Sequence, residues 1–150
     1  MTAFEHTFIV GWAQVDTNGP LRNTGFIDLA VDTRILYLTS QGFGFAELTH
    51  HAMGPVGRRD DIEYFREFRL LEPIRITLTL AGLSEDGSRF IMVNECWKAD
   101  GRLGARLRSS GGWLDLKARA LMAPPAALLA ALQSLDRTDD FAVLESSVRR

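Results

Sequence analysis

Residues 15–26 read VDTNGPLRNTGF, and these residue types could build a reactive loop as well as a turn. Asp16 supplies a carboxylate, which can attack a carbonyl or take a proton from water. Asn18 and Asn23 bring amides that can hold a loop or orient a water, while Gly19 and Gly25 let a ligand approach the backbone closely. A long apolar pattern follows directly. Thr24, Gly25 and Phe26 would therefore present unpaired N–H groups at the positive end of a helix dipole, a suitable seat for a developing oxyanion. A purely structural reading competes: Asp16 and Asn18 can close an Asx turn, and Asn23 or Thr24 can cap the helix.

Other familiar chemistry is missing. The sequence contains no G-x-S-x-G elbow, no Walker A pattern and no H-E-x-x-H, and the G-F-G at 42–44 lacks the strand-then-helix context of a dinucleotide site. His50 and His51 are adjacent, so on a helix they point about 100° apart and cannot clasp one metal. Cys96 falls among strand residues and reads as a small buried apolar group, and Trp12, Trp97 and Trp113 read as core or interface residues.

The elements that would position the loop follow from periodicity. Residues 4–15 alternate at Phe8, Val10 and Trp12, the pattern of a strand leading into the loop. Residues 26–41 place Phe26, Leu29, Ala30, Leu36 and Tyr37 on one side and Ile27, Val31, Ile35 and Leu38 on the other, a helix apolar nearly all round. Asp28 belongs to its first turn and Gly42 ends it. Such a helix must be wrapped by other elements. After a loop or short helical piece at 43–57, four strands are expected at 60–70, 74–82, 88–98 and 102–116. They would be joined by the Asp-Gly turns EDGS and ADG, so an antiparallel meander follows. APPAALLAALQSL at 123–135 predicts a short C-terminal helix, and residues 136–150 form a charged tail expected to fray.

Composition bounds the function. With 150 residues, 46% hydrophobic and 24% charged, the chain suits one globular domain with a core of its own. A net charge of −2 gives no general footprint for nucleic acid. The single cysteine suits a reducing cytoplasm, and the start MTAFEHTFIVGW lacks the basic and apolar regions of an export signal. No run approaches the roughly 18 apolar residues of a membrane span.

The order Asp16, Gly19, Asn23, Phe26 after a strand resembles the hotdog-fold acyl-CoA thioesterase family, in its 4-hydroxybenzoyl-CoA thioesterase-like branch. That signature runs from an Asp after the first strand through Gly and often His to Asn, and meets the central helix at an aromatic. VDTRILYLTSQGF at 31–43 is similar to the family's helix, with Arg34 and Gly42, and DDIEYFREF at 60–68 to the following strand, with Tyr64 and Glu67. The ADG turn at 99–101 and the segment 119–124 also match, so the resemblance covers nearly the whole chain. It departs at Pro20, where His is frequent, and at Arg22, where a second Asn is frequent.

The resemblance implies an α+β hotdog domain over residues 1–150: an antiparallel sheet of about five strands around one long central helix, with a short C-terminal helix. It also implies a homodimer or homotetramer with sites between subunits, and hydrolysis of an acyl-CoA thioester to the free acid and coenzyme A. The catalytic residues would be Asp16, Asn23 and Gly25, and the substrate-binding residues Asn18, Gly19, Thr24, Phe26, Arg58, Arg59 and Tyr64. Arg58 and Arg59, read as neighbours on a loop, are the first choice for the phosphates of coenzyme A, ahead of Arg66, Arg106 and Arg108. Glu47, Glu67, Asp28 and Asp32 are reserve carboxylates. No metal or redox cofactor is called for, and neither nucleic acid nor a membrane is an expected partner. The alternatives are a dehydratase on the same fold, which would want a His-Asp or His-Glu arrangement, and a catalytically silent hotdog that binds acyl thioesters or a protein partner.

Overall fold

The computed structural model describes residues 4–148. In chain order it contains β1 (Phe4–Ile9), a single 3-10 turn (Trp12–Gln14), α1 (Asn23–Ser40), α2 (Phe45–His50), β2 (Met53–Tyr64), β3 (Pro73–Ser84), β4 (Arg89–Trp97), β5 (Leu103–Asp115), β6 (Ala120–Met122), α3 (Ala126–Gln133) and β7 (Arg137–Leu144).

The sheet runs β1-β3-β4-β5-β2, all antiparallel, with β6 added to β5 and β7 lying parallel to β3. Period-two alternation explains its inner face. Ile74, Ile76, Leu78 and Leu80 are fully buried, and the register stacks Leu78 beside Asn94 and Asn94 beside Leu107. Of the four-stranded meander expected from the Asp-Gly turns, β3, β4 and β5 are consecutive neighbours, but β2 pairs with the far side of β5 and not with β3, and the sheet has seven strands rather than about five. At 18 residues α1 is the longest helix, and its buried residues Phe26, Leu29, Ala30, Tyr37 and Leu38 pack into the two clusters that form the core. On the second side Leu38 is buried, Ile27 and Ile35 are half-buried and Val31 is 41% exposed, so that side is only partly covered, and Leu36, expected on the first side, is 38% exposed. Its C-terminus closes as expected: Gly42 takes φ +83°, its N–H donates to Thr39 O, and the Phe43 N–H reaches back to Leu38 O at 2.8 Å.

Several boundaries differ from those read off the sequence, each for a local reason. The first strand stops at Ile9 because the chain turns at Trp12–Gln14, which leaves Trp12 79% exposed while Trp113 is buried. The helix begins at Asn23, with Arg22 as its N-cap, so Asp28 falls outside the first turn. The strand expected at 60–70 is shifted: β2 starts at Met53 and ends at Tyr64, because Gly54, Pro55 and Gly57 lie on an edge strand where a proline leaves no broken ladder bond. Residues 137–144 are β7 rather than a fraying tail, held by backbone pairing to β3 that a charged sequence does not advertise. Among the described residues no helix is long and apolar enough to cross a membrane.

Candidate active site

The 15–21 loop is a tight backbone turn. The Gly19 N–H donates to Asp16 O at 2.9 Å, the Asp16 N–H donates to Pro20 O at 3.0 Å, and Val15 pairs with Leu21. Gly19 holds φ +96°, which a residue with a Cβ rarely adopts. The turn is pinned on one side by Arg22, whose N–H donates to Gln14 O and whose Nη2 donates to Ala13 O, each at 2.8 Å. On the other side Leu21 N–H donates to Phe68 O and Pro20 pairs with Arg69. Backbone bonds therefore do the holding, and the side chains are left over. Asp16, Asn18, Asn23 and Thr24 are all exposed, and among the described residues none of their side chains makes a hydrogen bond. Neither the Asx turn nor the Asn23 or Thr24 cap exists.

The start of α1 is correspondingly open. No side chain caps it. The Gly25 N–H is engaged by Arg22 O at 2.8 Å, while those of Asn23 and Thr24 have no acceptor among the described residues. Two N–H donors at the positive end of an 18-residue helix thus face outward beside a turn that carries a free carboxylate. Tyr64, at the end of β2, leans over this point: its hydroxyl donates to Asn23 O at 3.3 Å and its ring meets Phe26 edge-on at 5.4 Å.

The structure sorts the residues named from the sequence into three groups. Asp16, Asn18 and Gly19 share the turn, while Asn23, Thr24 and Tyr64 gather at the helix start that follows it. Gly25 and Phe26 adjoin that start but face inward. A Cβ on Gly25 would lie 2.5 Å from Leu21 Cδ1, so this glycine makes room for a core leucine rather than for a ligand. Phe26 is buried against Phe68. Arg58 and Arg59 sit elsewhere, within β2 at a bulge after Gly57 and not on a loop. There Arg59 pairs with Asp61 at 3.1 Å, and both arginines border an open groove shared with Arg89 and Arg108. Of the reserve carboxylates, Glu67 pairs with Arg69 at 3.6 Å, Glu47 lies in the first turn of α2, and Asp28 and Asp32 are exposed on α1. His50 and His51 meet edge to face at 5.3 Å, and Cys96 is fully buried. Burial, with a smaller push from Glu95, raises the Cys96 thiol to about 12, which leaves it protonated and inert at neutral pH.

A cavity of about 210 Å³ lies between α1 and the inner faces of β2, β4 and β5. Ile35, Leu38, Phe90, Met92 and Trp113 form its apolar part. At its polar part Arg34 donates from Nε to Asn94 Oδ1 at 2.9 Å and from Nη2 to Ser109 Oγ at 2.7 Å, and Asn94 in turn donates to Thr77 O at 3.1 Å. Burial lowers the pKa of this guanidinium, and Asp60, close enough to act through space, partly restores it.

The profile of the thioesterase-like superfamily matches residues 10–132. The chain belongs to the thioesterase-like superfamily. No curated protein matches the sequence. Among solved structures, it is similar to a Staphylococcus aureus protein determined in complex with CoA, at 19% identity and a TM-score of 0.80 over 88% of this chain and 82% of that one. It is also similar to a 1,4-dihydroxy-2-naphthoyl-CoA thioesterase from Synechocystis, at 18% identity and a TM-score of 0.79 over 89% and 98%. At these identities the likeness shows a shared fold, and with the family match it bears out the resemblance to hotdog thioesterases.

In this thioesterase-like chain, sequence reading missed the Arg34, Asn94 and Ser109 cluster as a functional unit. A signal was present. Phe90, Met92, Asn94 and Cys96 share one phase of β4, and Ala105, Leu107 and Ser109 one phase of β5, so Asn94 and Ser109 are polar residues on apolar faces and need a buried partner.

Proposed function

We propose that this protein hydrolyses an acyl-CoA thioester to a carboxylic acid and coenzyme A, with Asp16 as its catalytic carboxylate. The observation that carries the reading is the unengaged state of Asp16 beside an uncapped helix start, in a chain of thioesterase ancestry. A thioester carbonyl placed over Asn23 and Thr24 would receive two N–H donors as its oxygen becomes an oxyanion. Asp16 then acts as a general base, taking a proton from the water that attacks the carbonyl carbon, or as a nucleophile, forming an anhydride that water opens. On the base route the C–S bond breaks as Asp16 returns that proton to the leaving thiolate; on the nucleophile route the thiolate leaves as the anhydride forms and takes the proton released when water opens it. Asn18 and Asn23 orient the water, and Tyr64 can turn its hydroxyl from Asn23 O toward the substrate. The reaction as written uses no metal or redox cofactor.

The same reading takes the chain as one hotdog domain in which the sheet wraps α1, working in the cytoplasm as a homodimer or a homotetramer. Two features support the pairing: β2 is a 12-residue edge strand bonded on one side only, and the apolar Val31 and Leu36 stand exposed on α1. Arg58 lies six residues before Tyr64, about 20 Å along an extended strand, so Arg58 and Arg59 would bind the coenzyme A phosphates of the partner's site. Arg69, whose Nη1 is 3.4 Å from where a Cβ on Gly19 would sit, is the cation at hand in the same chain.

The test is the rate of free-thiol release from benzoyl-CoA and from short to long aliphatic acyl-CoA esters. Hydrolysis of at least one ester supports the proposal. Silence across the panel, together with saturable binding of the same esters, would instead favour a binding protein, the role that Pro20 in place of the frequent His would suit.

A further inference from the structure

The cavity beside α1 is apolar over most of its wall, yet it contains a guanidinium whose charge meets no contacting carboxylate. Nε and Nη2 of Arg34 are occupied by the neutral Asn94 and Ser109. Nη1 has no acceptor among the described residues, and no side chain there forms an ion pair with Arg34 within 4.0 Å. Since no buried side-chain nitrogen or oxygen among the described residues lacks a partner, Nη1 reaches open space, and the space that Arg34 lines is this cavity. Asp60, exposed on the β2 side, faces the guanidinium without pairing. A cation held by two fixed neutral acceptors keeps its remaining donors aimed, and a ligand oxygen completes the set.

We propose that Arg34 makes this cavity selective for acyl groups carrying an acceptor oxygen, a carboxylate or a ketone, well beyond the thioester. The proposal rests on the thioesterase reading for the position of the thioester, and the dimensions suit it. Eleven residues separate Asn23 from Arg34, about 16 Å of helix, and the arginine side chain leans back toward the N-terminus. A chain of moderate length therefore spans from the Asn23 and Thr24 donors to the guanidinium. Its hydrocarbon stretch lies against Ile27, Val31 and Ile35, and the volume, worth about seven waters, admits such a chain without a bulky polycycle.

The experiment compares kcat/KM for hexanoyl-, octanoyl- and decanoyl-CoA with the same chains ending in a carboxylate or a methyl ketone. In parallel, calorimetry measures binding of the corresponding free acids, in wild type, Arg34→Met and Arg34→Gln. At one chain length the wild type is expected to favour an oxygen-bearing ester by at least about tenfold, the scale of one charge-assisted hydrogen bond. In Arg34→Met that ratio is expected to fall to about one. Arg34→Gln ends where Nε stands and can keep the bond to Asn94, though not the one from Nη2 to Ser109, so it carries the test if the Met variant does not fold; it should lose the carboxylate preference. A wild type that favours plain chains, or a preference that survives both variants, overturns the proposal. If no ester is hydrolysed the thioesterase reading fails, and the free-acid binding ratios still decide the role of Arg34.

Discussion

Asp16 and Asp86 each stand in a turn that ends in or contains a glycine, and their surroundings differ in almost every respect. Asp86 lies between β3 and β4 and accepts hydrogen bonds from the Ser84 hydroxyl at 2.8 Å, from the Ser88 N–H and hydroxyl at 3.0 and 2.7 Å, and from the Ser146 hydroxyl. Burial pushes its pKa up, but the bonds from Ser146, Ser88 and Ser84 prevail and hold the carboxyl well below the usual carboxylate range. The Asp16 carboxylate accepts nothing among the described residues, and its turn is closed by backbone alone. A carboxylate saturated with donors is a structural clasp, here tying the segment after β7 to a hairpin. One that the fold leaves unengaged, beside unpaired N–H groups, is free for chemistry.

The contrast can be broken or sharpened by substitution. The largest effect falls on Asp16: Asp16→Asn should lower kcat by at least about a hundredfold, the scale of a general base, while the melting temperature stays unchanged. Asp86→Asn should do the reverse. Asn keeps Oδ1, the acceptor for Ser84 and Ser88, but puts an NH2 in place of the Oδ2 that Ser146 bonds and removes the charge that strengthens all of these bonds, so it should cost about 2 kcal/mol of stability with turnover kept, as read by denaturant unfolding. Because the folded pKa of Asp86 is depressed, its contribution is fully present above the unfolded value of about 3.9 and is lost as pH falls through that value toward the folded one. The stability gap between wild type and Asp86→Asn should therefore narrow as pH falls from 7 to about 3, whereas a constant gap would show that the carboxylate charge is irrelevant.

Gly25→Ala should cost about 1 kcal/mol, since its Cβ forces Leu21 aside, and a second change of Leu21 to Ala should remove that clash. The smallest effect belongs to Asn23→Ala. A true cap would cost about 1 kcal/mol, but an unengaged Asn23 should cost no more than about 0.5 kcal/mol in thermal unfolding.

The same contrast explains what could be read from the sequence. Ile74 to Leu80, the Asp-Gly turns and Gly42 gave clear signals because burial, turn chemistry and left-handed backbone each restrict residue type. The 15–26 loop was legible as a place of interest, since its residues are costlier than a connector needs. Whether Asp16 was clasped or free was not legible, because that depends on Phe68 and Arg69 reaching the turn from another segment. Likewise β7 is held through backbone groups, and the bonds of Arg34 span 60 and 75 residues, so neither leaves a local pattern.

The central claim is tested most directly by setting Asp16→Asn and Asp86→Asn side by side, measuring thiol release from the best ester and thermal unfolding on the same samples. The account predicts a reciprocal result: Asp16→Asn folded as firmly as wild type but nearly inactive, and Asp86→Asn active but less stable. Turnover retained by Asp16→Asn at wild-type stability would contradict it, and would reduce residues 15–26 to a turn at the head of a helix.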